Sequence, residues 1–534
     1  MTSEPRAFAT VDLGAATVSV AIVGKLGRAW RLLGTSALPS ACGPDVAIAS
    51  LLDRIRRTDP SLTTRLGLDG PEADELVRLE VRSNPARTLA VVAATERSLA
   101  PLVAAADRSG WRTVAASAQT TDPLAMSRML MDAGTDAILA GATDPPAADE
   151  RSALGELAAL VAAVARRRPD RLVVLAGGMA ERQAEFGDPP GRSGETVLAP
   201  AAGVGVAGVP LRDLLLELAG PSDDARRALG VAASTLAEVS DRRVELVEIG
   251  HDGGARAFAR PATANEPEVL DLAVAPGAGL APAEPDDEVV DRVLAWSTIA
   301  SDRHRLRDRM RELRIAPWSD ATGDGLDFRV AVAHAALGRL VDATADPGSI
   351  QVPDLVVACG GVWASMPASL IALTLADILR RSGASQLAFD HAGLLAPLGT
   401  ISDATERRAL FADLADDLLA PLGTLVTPTG LRSGRVAGQL IVHGTHPAET
   451  TDLSTGELAL VRLAPGEAAV AEFRFRDKVR LGGRGRRFAI DVAGGLAGLL
   501  VDLRDEPLRL PDRAEARREQ LRAWQAAVRP GGPA

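Results

Sequence analysis

The chain of 534 residues has no tyrosine, only two cysteines and only six histidines. The cysteines, Cys42 and Cys359, stand far apart and in no C-x-x-C pair, which excludes a disulfide framework and a cysteine zinc site and suits a reducing cytoplasm. Lysine occurs only at Lys25 and Lys478, while arginine is frequent; together with the abundant Ala and Gly this reads as coding bias. The formal charge of −11 argues against a nucleic-acid-binding protein, which needs surplus cations for phosphate contacts. No run of ~20 residues is apolar without charges, so no membrane span is expected. The start "MTSEPRAFATVDLG" lacks a basic stretch followed by an apolar one, so no signal peptide is expected and the location implied is cytoplasmic. The P-loop pattern G-x-x-x-x-G-K-[ST] and the G-x-S-x-G elbow are both missing, and there is no short-period repeat.

What is present begins with a strand-like run, "TVDLGAATVSVAIV", that carries an acid and a glycine among β-branched residues. Residues 7–12, residues 18–23 and "AWRLLGTSALP" are joined by short turns and predict an antiparallel meander. Apolar strands then alternate with helices: "TLAVVAAT", "RTVAAS", "DAILAGATD" and "RLVVLAGG" are the strands. That alternation predicts an α/β chain with buried parallel strands. A second strand–turn–strand unit follows at "RRVELVEIGHDGGARAFARP", and later "PDLVVACGGVWASMP" reads as a buried strand ending in a glycine pair. From about Leu425 the pattern becomes β-like with Gly and Pro between runs, closed by an amphipathic helix over Arg513–Val528. The domains expected are residues 1–220, residues 221–424 and a β-rich segment 425–534 with the terminal helix.

Three stretches, in order, carry a resemblance. "TVDLGAATVSVAIV" is similar to the first phosphate loop of the actin, Hsp70 and sugar-kinase superfamily, "LVEIGHDGGARAF" stands where the second would be, and "LVVACGGVWASMP" resembles the adenosine loop. The whole chain more narrowly resembles the glutamate mutase L family of that superfamily, most strongly at "DVAGGLAGLLVDLRDEPLRLP" and the following "REQLRAWQ". The resemblance implies two RNase H-like lobes around a nucleotide cleft, with residues 1–220 and 221–424 as the lobes. It also implies ATP with Mg²⁺ as ligand and an accessory or reactivating role toward a partner such as a cobalamin-dependent mutase.

Read as chemistry, Gly14, Ala15, Ala16 and Thr17 would offer a turn whose backbone N–H groups are open to phosphate, and Asp12 would meet Mg²⁺ directly or through water. Glu248 takes the place of an expected Asp and would polarise water; Gly250, Gly253 and Gly254 would open the second turn. Gly360 and Gly361 would let backbone approach adenine and ribose, and the next helix, starting near Pro367, would present its positive end. Each stretch also fits a plain turn. Ala15 and Ala16 stand where the superfamily usually has hydroxyls, which removes bonds to a terminal phosphate. Weak ATP hydrolysis, a non-hydrolysing interaction scaffold and a small-molecule kinase therefore all stay open, although no base for an acceptor hydroxyl stands out. His251 and Asp252 adjoin, but neighbours in an extended turn point opposite ways, which disfavours a His–Asp pair. The G-x-G-x-x-G match at Gly203–Gly208 lacks the following strand and acid of a dinucleotide site. A patch with seven basic residues and one acid, Asp477, spans Arg474–Arg487; it suits a solvated strand face or an acidic partner.

Overall fold

The structure is a computed structural model, and it describes residues 6–68, 76–186, 195–203, 205–220, 224–282, 285–319, 322–344, 352–432, 434, 436–444, 448–504 and 507–529. Four sheets organise it. The first holds β1 (Ala7–Leu13), β2 (Thr17–Leu26), β3 (Ala29–Pro39) and β4 (Val77–Arg82), in the order β3-β2-β1-β4. The three leading strands form the expected antiparallel meander, and β4 returns parallel to β1 after the helix Gly43–Thr58. That helix turns Ala47, Ile48, Leu51, Leu52 and Ile55 onto the sheet, an apolar stripe at helical spacing.

After Arg82 the chain leaves this sheet and comes back at Asp224, and these two residues bridge each other. Between them lie β5 (Thr88–Ala93), β6 (Arg112–Ser117), β7 (Ala137–Ala142), β8 (Leu172–Gly177) and β9 (Thr196–Ala199), an all-parallel sheet in the order β6-β5-β7-β8-β9. The central strands are covered by helices on both faces, so β7 is buried along its whole length, as a continuous apolar run requires. Residues 1–220, expected as one lobe, thus carry two separate sheets, the second threaded into the first as an insertion with meeting ends.

The second lobe repeats the meander. β10 (Val244–Ile249), β11 (Gly253–Arg260) and β12 (Val269–Pro276) pair antiparallel; β13 (Leu355–Cys359) lies parallel to β10, and β14 (Gly383–Phe389) parallel to β13. The order β12-β11-β10-β13 is that of β3-β2-β1-β4, so the chain has two α/β lobes of RNase H-like topology. The sheet then continues past the boundary expected near residue 424. β15 (Ala420–Thr427) pairs with β14, and a Greek-key-like return brings two later strands beside it. Of the remaining strands, β16 (Val436–His443), β17 (Glu449–Ser454), β19 (Ala468–Leu481) and β20 (Gly483–Ala493) form their own antiparallel sheet. β18 (Leu458–Val461) and β21 (Gly498–Asp502) instead join the sheet of the second lobe through β15. The C-terminal helix Ala514–Val528 packs Val528 into the same core. Among the described residues no helix is long and apolar enough to cross a membrane.

Candidate functional site

The two lobes present the same hairpin to one another. In the first, Asp12 pairs with Ser19, Leu13 with Val18, and the Gly14 N–H closes the turn onto the Thr17 carbonyl at 2.8 Å. In the second, Glu248 pairs with Ala255, Ile249 with Gly254, and the Gly250 N–H closes onto the Gly253 carbonyl at 2.9 Å. The acid stands two residues before the turn glycine in both. The turns are close-packed: a Cβ at Gly14 would lie 2.9 Å from the Thr17 carbonyl oxygen, and one at Gly250 would lie 2.8 Å from Glu248 Oε1, the movable end of a side chain.

The third loop enters between them. Gly360 has φ +93°, a conformation that suits glycine, and a Cβ there would collide with the Ile249 carbonyl oxygen. A Cβ at Gly361 would come within 4.0 Å of Thr17 Oγ1 on the other lobe. Trp363 is buried beneath and donates from its ring nitrogen to the Cys359 carbonyl at 2.9 Å, which pins the loop. Cys359 itself is a buried thiol whose pKa is raised by desolvation and by the charges of Asp390 and Glu248.

Asp12, Gly14, Ala15, Ala16, Thr17, Glu248, Gly250, Gly360 and Gly361 line one interlobe cleft of about 1020 Å³ of atom-free space, open solvent included. An adjoining compartment shares Asp12, Glu248, Gly360 and Gly361 and reaches Asp390. Gly253 and Gly254 are not among the lining residues; both begin β11, are buried, and Gly253 would place a Cβ 3.1 Å from Arg226 Nη2. Pro367 caps the helix Ala368–Leu379 that follows the third loop.

Electrostatically the cleft is short of cations. Burial raises Asp12 to about 6, helped by the charge of Asp390 and opposed by Arg226. Burial raises Glu248 to about 7 against the pull of Arg226, whose Nε stands 3.5 Å from Glu248 Oε2. Asp390 rises to about 6 through burial, although the N–H groups of Leu394 and Leu395 donate to it at 3.0 and 3.2 Å. Asp12 Oδ1 is buried with no hydrogen-bond partner among the described residues. A buried carboxylate oxygen left bare in this way fits a Mg²⁺ ligand, whereas no group of three or more His, Cys, Asp or Glu placed to hold a metal is found among the described residues. An ion here would have Asp12 as its protein ligand and complete its shell with water and ligand oxygens.

Sequence reasoning passed over Arg226 and Asp390. Arg226 lies in the first turn of the helix Ala225–Ser240, just after the Asp224 N-cap, where the helix dipole disfavours a cation. That misplaced charge was the available signal. Asp390 gave none, because its neighbourhood arises from the β13–β14 crossover. The His251–Asp252 reading needs correction: the turn brings His251 Nδ1 within 3.2 Å of Asp252 Oδ1. The hydrogen bond from His251, with Arg314 beside it, holds Asp252 below the usual carboxylate range. The residues of the G-x-G-x-x-G match lead into the helix Val209–Ala219 through a short turn, Gly205–Gly208.

No family model matches the chain, and no curated protein does. Among solved structures, component A of the (R)-2-hydroxyglutaryl-CoA dehydratase of Acidaminococcus fermentans is similar at 9% identity and TM-score 0.27, over 75% of this chain and 98% of that one. The activator of the 2-hydroxyisocaproyl-CoA dehydratase from Clostridium difficile, with bound ADPNP, is similar at 10% identity and TM-score 0.28, over 76% and 94%. Xylulose kinase from Lactobacillus acidophilus is similar at 12% identity and TM-score 0.26, over 76% and 92%. At such scores the fold assignment rests on the strand order described above.

Proposed function

We propose that the chain is a nucleotide-binding accessory or reactivating protein, with ATP and Mg²⁺ in the interlobe cleft. One observation carries this reading: three glycine turns 236 and 110 residues apart in sequence, at Gly14, Gly250 and Gly360, line a single cleft beside a bare Asp12 oxygen. The turns at Gly14–Thr17 and Gly250–Gly253 would face the phosphates from the two lobes, and Gly360–Gly361 would lie against the adenosine. Bound Mg²⁺ would neutralise phosphate charge. Asp12 would hold the ion and orient it; Glu248, facing Arg226, would polarise water on the opposite wall. Because the walls belong to different lobes, filling the cleft ties lobe separation to nucleotide state, and such a motion is what an accessory protein uses on a partner. The narrower assignment, a member of the glutamate mutase L family serving a cobalamin-dependent mutase in the cytoplasm, rests on the sequence resemblance.

Ala15 and Ala16 favour a second reading, a scaffold that binds nucleotide without hydrolysing it, since neither residue carries a hydroxyl toward a terminal phosphate. Isothermal titration of the full chain with ATP–Mg²⁺ tests the shared claim. Saturable heat that weakens at least tenfold in Asp12→Asn is expected, because a charge-assisted contact is lost; a flat titration removes the nucleotide. Phosphate release under the same conditions separates the two readings.

A further inference from the structure

His251 is nine-tenths buried, its side chain 10% exposed, and it lines the interlobe cleft. Its two ring nitrogens are in different situations. Nδ1 faces Asp252 Oδ1 at 3.2 Å, and a carboxylate only accepts, so Nδ1 carries a hydrogen. Nε2 is buried with no partner among the described residues. In the neutral ring Nε2 is therefore a bare acceptor, a costly arrangement in a buried wall unless something arrives to meet it.

The wall around it is firmly built. Arg314, on the helix Arg303–Ile315, donates from Nη1 to Asp252 Oδ1 at 3.0 Å and to the Ala281 carbonyl at 2.7 Å. The backbone of the turn is clamped by Leu280 N–H to Gly250 O at 3.0 Å, Ala281 N–H to His251 O at 2.9 Å, and Gly277 N–H to Asp252 O at 3.0 Å. Gly279 presses on this turn so closely that a Cβ would collide with Gly253 N and His251 O. The charged groups that line the cleft together with the ring are Asp12, Arg226, Glu248, Asp252 and Arg329.

We infer that His251 is the residue that recognises the terminal phosphoryl group of the bound nucleotide, with one proton held between Nε2 and a phosphoryl oxygen. The inference rests on the nucleotide reading above and adds a specificity-determining residue to it. A phosphoryl oxygen and a bare imidazole nitrogen are both acceptors and repel. The contact becomes attractive only when a proton is taken up, and Asp252, braced by Arg314, stabilises the imidazolium that forms. The lost hydroxyls at Ala15 and Ala16 are then replaced from the opposite lobe, by a group whose bond depends on pH.

Titrations of the full chain with ATP–Mg²⁺ and with ADP–Mg²⁺ over a series of pH values, each in two buffers of different ionisation enthalpy, count the protons taken up. The expected result is greater uptake with ATP than with ADP. His251→Gln should abolish the excess and weaken ATP by about tenfold, the equivalent of one charge-assisted hydrogen bond, with a smaller effect on ADP. Asp252→Asn, which keeps the imidazole but removes its brace, should move the excess uptake to lower pH. Equal uptake for the two nucleotides in the parent chain overturns the inference and leaves the nucleotide reading intact, and so does an unchanged excess in a folded His251→Gln. Absence of heat with both nucleotides overturns the reading itself, and the inference with it.

Discussion

Two sets of buried acids in this chain meet opposite fates. Behind the second lobe, Glu245 is fully buried yet held below the usual carboxylate range: burial pushes it up, and Arg256 and Arg381 outweigh that. In the same region Asp502 sits between Arg504 at 2.8 Å and Arg380 at 2.7 Å. Asp377 meets Arg504 at 2.7 Å and His334 Nε2 at 2.7 Å. Trp524 covers the Arg504 guanidinium at 4.5 Å, so the C-terminal helix closes this network. In the cleft, Asp12 and Glu248 are partly buried and Asp390 is buried; Arg226 opposes the rise at Asp12 and Glu248, yet all three are pushed up. Burial is common to both regions; the supply of partners differs. Where each buried acid meets an arginine the charges balance within the fold, whereas the cleft acids share fewer cations.

The largest test breaks the arginine-rich network. Arg504→Ala leaves Asp377 and Asp502 buried with one cation fewer and should cost about 3–5 kcal/mol in urea denaturation; a loss below about 1 kcal/mol would mean that the network is not closed around this residue. Next, Gly360→Ala puts a Cβ against the Ile249 carbonyl at a left-handed φ and should destabilise by roughly 2–3 kcal/mol. Its melt should fall even in variants that leave the rear network intact.

The smallest effect runs the other way. Glu248 binds its proton more tightly folded, near 7, than at its ordinary value of 4.5. The native state therefore holds the extra proton between those values, and stability falls as pH rises through that window. Without nucleotide or divalent cation, Glu248→Gln should be more stable than the parent by about 1–2 kcal/mol at pH 8 and equal to it near pH 4. Melting curves at both pH values check this. A variant destabilised at pH 8 would show that Arg226 satisfies the acid, and the contrast between the two regions would weaken.

Much of the cleft was legible because its parts are local. An acid two residues before a turn glycine, inside a β-branched run, is a pattern of a few residues, and Asp12–Gly14 and Glu248–Gly250 both show it. Gly253 closes the Gly250 turn with its carbonyl and Gly254 follows it in the strand, but neither lines the cleft, since a glycine run does not say which of its members faces a ligand. The insertion between Arg82 and Asp224 was read as strands and helices but not as a second sheet, because alternating elements are the same in either case. β18 and β21 carry the same strand-like pattern as their neighbours β17 and β20, yet pair with a different sheet.

By itself, then, the sequence determined strand and helix identity, the two acid-and-glycine hairpins and the lack of a C-x-x-C pair or P-loop pattern, since each depends on residues near one another in the chain. Only the tertiary structure decided which strands share a sheet, that Arg226 and Asp390 join Asp12 and Glu248, and that His251 turns Nδ1 to Asp252 and leaves Nε2 bare. Those facts depend on pairings between distant segments, which period and propensity alone do not encode.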